Sequence, residues 1–271
     1  MIRRFALALA LAVPAFAADP PALKPLDYVA VQPGKIPVII SAPHGGGKDI
    51  PGAKPRTGEG LPKGPAGFFT GRDLGSEELA YQIAEAVEKK LGAKPYFVIA
   101  KFHRKYVDAN RPPEIGVEDK AARPVYDAYH DTLAGYCKAV KKEFGRGLLI
   151  DVHGQAMAED TIFRGTLNGK TVTLLRQRFG EKAHTGDQSF FGLLAANGCK
   201  VVPADGTDKE QAGFTGGHIV QKFGSHEGYG IDAIQLEFGG HYRIRDARPK
   251  AAERVAEAVA KYHELYLSKK D

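Results

Sequence analysis

Cysteine is scarce in this chain: 2 among 271 residues, alongside 2 methionines and no tryptophan. Two cysteines cannot build a disulfide-stapled framework. The 32 glycines follow no period of three, which excludes a collagen-like rod. No block of five or more like charges occurs, and no aromatic-basic module is present, so nucleic acid is not an expected partner. Beyond residue 17 no stretch is apolar enough to cross a bilayer. The His-Glu-x-x-His helix motif of zinc peptidases and the Gly-x-Ser-x-Gly nucleophile elbow are both missing. No internal repeat appears.

What remains is globular composition, 43% hydrophobic and 26% charged. That supplies enough apolar surface to offset the entropy of ordering the chain. The formal charge of +6 is mildly basic and its lysines are scattered, which leaves room for a pocket that takes a small acidic substrate. At the start, Arg3 and Arg4 precede an apolar run from Phe5 to Phe16, and Ala15-Phe16-Ala17 has the small-residue cleavage pattern. Residues 1–17 therefore read as a secretory signal peptide, and residues 18–271 as one domain. The expected location is periplasmic or secreted, with no stable membrane insertion after cleavage. In an oxidising compartment Cys137 and Cys199 form a disulfide only if the fold brings them together; two separate buried thiols are the alternative.

Strand and helix patterns alternate. Ile36–Ile40 is a short apolar run that opens into Ser41-Ala42-Pro43-His44-Gly45. Residues 48–72, dense in Gly, Pro and Lys, read as a long surface loop. Leu79, Ile83, Val87 and Leu91 form one apolar stripe, predicting a helix from Ser76 to Leu91 that Gly92 stops. Further strands are expected at 96–100, 147–151, 200–202 and 232–238, and further helices near 124–143, 187–197 and 248–267. Asn168-Gly169 favours a tight hairpin turn within 161–175. The sum is α/β: a single-domain, three-layer α/β/α fold around a mostly parallel mixed sheet.

In such sheets, sites lie at the carboxyl ends of strands. The first strand delivers His44, the third Asp151 and His153, and the last Glu237. His153 lies two positions after Asp151, so both side chains share a face if the strand runs that far; Asp151 is then placed to orient a ligand. A catalytic zinc usually takes three protein ligands. His44 and His153 need a third, and Asp73, Glu77 and Glu59 are the candidates. Asn110-Arg111 offers an amide and a planar fork suited to a carboxylate. Glu237, a carboxylate among apolar strand residues, suits a general base if it faces the site. Each has a structural alternative: His44 as a plain loop histidine, Asp73 as a helix N-terminal acid, Arg111 paired with Asp108 or Glu114, Glu237 paired with Arg243 or Arg245. Gly216-Gly217-His218 either touches substrate or only turns the chain.

Six pieces in order carry a family resemblance: Ser41-Ala-Pro-His44-Gly, Arg72-Asp73, His103-Arg104 through Asp108-Ala-Asn110-Arg111-Pro112, Ile150-Asp151-Val-His153, Gly216-Gly217-His218-Ile219 and Gln235-Leu236-Glu237. Together the set resembles the N-formylglutamate amidohydrolase family and, through it, zinc carboxypeptidase- and aspartoacylase-like hydrolases. The resemblance implies a phosphorylase/hydrolase-like fold and a Zn2+ cofactor held by His44, Asp73 and His153. It implies Glu237 as the base for metal-activated water, Arg104 at the oxyanion, and Asn110, Arg111 and His218 toward substrate. The implied substrate is a small acidic N-acyl amino acid or a glutamate-containing peptide. A secreted zinc carboxypeptidase, a poly-gamma-glutamate hydrolase on the same scaffold, or a non-catalytic ligand-binding homologue are the other readings.

Overall fold

The apolar runs that predict strands become a single sheet, because each is too hydrophobic to stay in solvent and too short to bury itself alone. The structure is a computed structural model that describes residues 23–62, 67–204, 206–207 and 209–268. The signal-peptide expectation at 1–17 lies outside the described residues. Seven strands are present: β1 Val29–Gln32, β2 Val38–Ala42, β3 Tyr96–Ala100, β4 Leu148–Gly154, β5 Thr161–Gly165, β6 Lys200–Val202 and β7 Asp232–Phe238. The α-helices among the described residues are α1 Ser76–Leu91, α2 Pro113–Gly116, α3 Arg123–Phe144, α4 Thr173–Phe179, α5 Lys182–Thr185, α6 Phe190–Ala196, α7 His218–Phe223, α8 Gly240–Arg243 and α9 Arg248–Tyr262.

The strand order is β1-β3-β2-β4-β7-β5-β6. β3, β2, β4 and β7 run parallel side by side, β1 joins β3 antiparallel, and β5 joins β7 antiparallel. The sheet is thus mixed and mostly parallel, as expected. Alternation along the strands splits the core into two layers. Val38, Ile40, Leu148, Ile150, Ile234 and Leu236 pack against α1, α6 and α9. Ile39, Val98, Leu149 and Ala233 pack against α3 and α7. This is the three-layer α/β/α architecture.

α1 spans Ser76–Leu91 as its stripe predicts, with Leu79, Ile83 and Val87 fully buried, and it ends at Gly92 in a left-handed conformation (φ 69°). Two points differ from what the sequence predicts. β1, a four-residue edge strand, is absent from the expected strands; it carries no period that sets it apart from its Pro-rich surroundings. There is no 161–175 hairpin. Leu167 and Asn168 do take positive φ (50° and 52°), but the chain then enters a 3-10 turn and α4, because β5 finds its partners in β6 and β7. Cys137 and Cys199 are separate free thiols, buried in the two different layers, which is the second of the two readings given for them. No helix among the described residues is long and apolar enough to cross a membrane.

The topology decides where a site can form. From β2 the chain crosses through α1 to β3 on one side, then through α3 to β4 on the other side of β2. The loops leaving β2 and β4 therefore diverge and open a crevice at the carboxyl edge of the sheet.

Candidate metal centre

Side chains enter this crevice by strand register. Ser41 pairs with Asp151, Asp151 with Gln235, and His153 with Glu237. All five lie on the α3/α7 face by the two-residue alternation. His44 follows two residues beyond the end of β2. Asp73 sits three residues before α1, and its N–H donates to the His44 carbonyl at 3.1 Å. Arg72 braces the same turn, donating through Nε and Nη2 to the Gly45 carbonyl at 2.9 and 2.5 Å. Glycine is required at 45: a Cβ there would lie 2.3 Å from the Glu77 backbone nitrogen.

His44, Asp73 and His153 converge, with one ligand atom from each lying within 4.8 Å of the others. Both imidazoles turn Nδ1 toward the group, each 3.4 Å from Asp73 Oδ2. Both turn Nε2 to a carboxylate: His44 to Asp108 Oδ1 at 2.7 Å, and His153 to Asp151 Oδ2 at 2.7 Å. A carboxylate on Nε2 keeps the proton there and leaves a lone pair on Nδ1, which is how metal-ligating histidines are commonly oriented. Nδ1 of His44 is buried and has no hydrogen-bond partner among the described residues. An orphaned acceptor of this kind, facing an imidazole and a carboxylate, fits a divalent cation. Of the three candidates for the third ligand, the structure brings Asp73 to the group; Glu59 is exposed and Glu77 lies outside it.

Charge supports the same fit. Asp73, Asp108, Asp151 and Glu237 crowd a region where Arg56 and Arg104 are the buried guanidiniums beside them. Burial would raise the Asp73 carboxyl, but the two imidazoles hold it well below the usual carboxylate range. Burial also works against Asp108, and His44, Arg104 and Arg56 overcome it to the same effect. Burial would lower His153; Asp151, Asp73 and Glu237 instead push it well above the usual imidazole range.

Glu237 is 8% exposed, and its hydrogen-bond partner among the described residues is Gln235 Nε2 at 2.8 Å. Burial is the main cause that lifts its carboxyl to about 7; His153 and Arg104 pull down while Asp73 and Asp151 push up. Arg243 does not pair with it. That guanidinium donates to the carbonyls of Phe238, Gln155 and Leu74.

The remaining predicted residues surround the cluster unequally. Arg104 reaches it, but Nε and Nη2 are held by Asp108 at 3.0 and 2.9 Å, with Nη1 facing Asp73 at 3.6 Å. Asn110 is buried: Oδ1 accepts from Ile219 N–H at 2.9 Å, and Nδ2 lies 3.4 Å from Gln235 Oε1 and 3.3 Å from His153 Nε2. Its amide thus ties α7 and β7 together, and glycine is needed at 217, where a Cβ would meet Asn110 Nδ2 at 2.1 Å. Arg111 is half-buried and donates to the Asn110 and Gly67 carbonyls. His218 opens α7; its buried Nε2 has no partner among the described residues, and burial takes its pKa down to about 4. Sequence reasoning missed Asp108 as the orienter of His44, Arg56 as the buried cation beneath it, and Gln235 as the link between Asn110 and Glu237.

The fold and the crevice define a three-layer α/β scaffold with a His-Asp-His group able to hold a metal at its topological switch point. No family model and no curated protein matches the sequence. Among solved structures, N-formylglutamate amidohydrolase from Ralstonia eutropha JMP134 is similar, with a TM-score of 0.57 and 14% identity over 89% of this chain and 98% of that chain. Gene product Atu2144 from Agrobacterium tumefaciens is similar too, with a TM-score of 0.53 and 15% identity over 89% and 95% of the two chains. At these identities the likeness is one of fold, and it is the fold that the six ordered motifs imply.

Proposed function

We propose that the protein is a zinc-dependent hydrolase that cleaves the amide bond of a small acidic N-acyl amino acid, with the N-formylglutamate type as its model. One observation carries this reading: two buried imidazoles present Nδ1 to a shared carboxylate while each Nε2 is held by its own aspartate. The similar solved structure from Ralstonia eutropha JMP134, an N-formylglutamate amidohydrolase, supports the substrate class. Residues 1–17, as a signal peptide, would deliver the domain to the periplasm or the exterior.

His44, Asp73 and His153 would hold the ion. When bound, zinc supplies Lewis acidity that polarises a carbonyl and makes water a better nucleophile at neutral pH. Glu237 takes a proton from the attacking water and returns it to the leaving nitrogen; a carboxyl near 7 suits both directions of transfer. Gln235 holds Glu237 through Nε2 and so fixes which carboxylate oxygen faces the site. Arg104, locked by Asp108, keeps Nη1 beside the group, where it offsets negative charge that develops on the carbonyl oxygen. Arg111 and the unpartnered His218 Nε2 receive the substrate's carboxylate end, and Asn110 positions that wall. Hydrolysis of N-formyl-L-glutamate should vanish on treatment with a chelator and return with zinc. Full activity in metal-free protein would overturn the reading.

A further inference from the structure

The two imidazoles of the metal group are held by carboxylates in different surroundings. Asp108, which holds His44, also accepts from Arg104 Nε at 3.0 Å, from Arg104 Nη2 at 2.9 Å and from the Asn110 N–H at 3.0 Å, with Arg56 at 3.8 Å. Its rotamer is fixed from several sides. Asp151, which holds His153, pairs with no arginine or lysine among the described residues. Its Oδ2 meets His153 Nε2 at 2.7 Å, and its Oδ1 accepts from Ser41 Oγ at 2.5 Å. That distance is usual for a hydroxyl donating to an ionised carboxylate. Ser41 and Asp151 are both 0% exposed, so bulk water cannot take the place of the hydroxyl.

Ser41 is no nucleophile. A serine activated by a base bonds the imidazole, whereas this one bonds the carboxylate behind it and is sealed from the crevice. What it can set is the carboxylate, and the neighbours of His153 show why that matters. His153 Nε2 has two of them with opposite demands. Asp151 requires a proton on it. Asn110 Nδ2, 3.3 Å away, is a donor, because Asn110 Oδ1 already accepts from the Ile219 N–H at 2.9 Å; it favours a bare Nε2. A bare Nε2 moves the proton to Nδ1, the nitrogen that stands 3.4 Å from Asp73, and a protonated Nδ1 cannot ligate. An Asp151 side chain free to swing would yield His153 to Asn110. Ser41, its register partner on β2, prevents the swing.

We propose that Ser41 is a positioning residue for the metal centre: acting through Asp151, its hydroxyl holds His153 in the tautomer that keeps Nδ1 free to ligate, against the pull of the Asn110 amide. This rests on the metal-dependent reading above. Ser41 touches neither ion nor substrate, and no proton leaves it. The two ligands are therefore set by different devices. His44 depends on a carboxylate braced by guanidiniums, and His153 on one braced by a single hydroxyl.

The test is a double-mutant cycle on zinc affinity, read with the full chain by competition with a chromophoric chelator. Asp151→Asn is expected to weaken binding by about 10–100-fold. Ser41→Ala should weaken it on the order of tenfold, as for loss of one hydrogen bond to a charged group. Ser41→Thr, which keeps the hydroxyl, should restore most of that. On the Asp151→Asn background Ser41→Ala should add no further loss, whereas on the Asp108→Asn background its loss should recur in full. A residue that serves packing alone would lower Tm without this pattern. Zinc affinity of Ser41→Ala within about twofold of the wild type, or a loss that persists undiminished on the Asp151→Asn background, would overturn the inference and leave the metal-dependent reading standing. A wild-type chain that takes up no zinc overturns that reading and the inference together. If Ser41→Ala does not fold, NMR of the wild-type chain decides: the Ser41 hydroxyl proton should give a slowly exchanging signal that shifts when zinc is added, and a signal that is missing or does not move overturns the inference.

Discussion

His44 Nδ1 and His153 Nδ1 each lie 3.4 Å from one oxygen of Asp73, although the two histidines leave different strands on either side of the sheet's switch point. Strand register and turn geometry produce this meeting. β2 and β4 are direct neighbours, so their loops start side by side. The Asp73 turn is tied to the His44 carbonyl, and the Gly154 N–H donates to Asp73 Oδ2 at 3.0 Å, joining it to the end of β4.

Asp108 should govern metal affinity without touching the metal. It orients His44 through Nε2 and anchors Arg104 and Arg56 beneath the site. Replacing it, Asp108→Asn, is expected to weaken zinc binding by about 10–100-fold, measured by competition with a chromophoric chelator. It should also destabilise the metal-free fold by about 3 kcal/mol or more, since two buried guanidiniums lose their carboxylate.

Zinc should stabilise the fold. The cluster brings Asp73, Asp108, Asp151 and Glu237 together against two guanidiniums, Arg56 and Arg104, so a bound cation adds the positive charge it is short of. At about 1,000 times its dissociation constant the ion contributes roughly 4 kcal/mol. For a domain of this size that raises Tm by on the order of 10 °C, read by differential scanning calorimetry with and without chelator.

Glu237 makes a pH prediction with two signs. As a base it must be deprotonated; bound zinc draws its carboxyl below the metal-free value of about 7, so kcat/KM should fall tenfold per pH unit on the acid side of a midpoint that lies under 7. As a buried acid whose folded pKa lies above its unfolded one, it contributes stability that is whole below about 4.5 and lost as pH rises through about 7. Glu237→Gln should therefore stabilise the metal-free chain at pH 8 by up to about 3 kcal/mol, have little effect at pH 4, and abolish turnover. Urea denaturation at the two pH values checks the sign; equal effects at both would contradict it.

Gly45 makes a steric prediction. A methyl group at this position meets the Glu77 backbone nitrogen at 2.3 Å, in a turn that Arg72 and Asp73 already hold. Gly45→Ala should push α1 away from the His44 turn and cost about 1–3 kcal/mol, with metal affinity falling in step. Thermal melts and zinc titration on the same sample check both.

Much of this was legible because local chemistry and tertiary context agree. α1, β3 and β7 follow from a helical stripe and two apolar runs, with bounds as predicted. His44, His153 and Glu237 announce themselves as polar residues at the ends of buried strands, and Asp151 as the orienter of His153 follows from period 2 alone. Asp108 did not announce itself, because its partner His44 lies 64 positions away and the local pattern offers Arg111 instead. The hairpin failed for the opposite reason. Asn168-Gly169 has the right turn chemistry, but strand pairing is settled by β6 and β7, which lie far along the chain. Asn110 suggested a substrate contact, yet its amide is taken up by two elements, α7 and β7, that only the fold brings together.

The central claim is that His44, Asp73 and His153 form one metal site. Metal content after dialysis against a slight excess of zinc tests it most directly, comparing the wild-type chain with His44→Ala and His153→Ala. One equivalent per wild-type chain, falling below about a tenth in each variant as loss of one of three ligands predicts, agrees with it. A wild-type chain that retains no zinc, or variants that retain it as fully as the wild type, would contradict it.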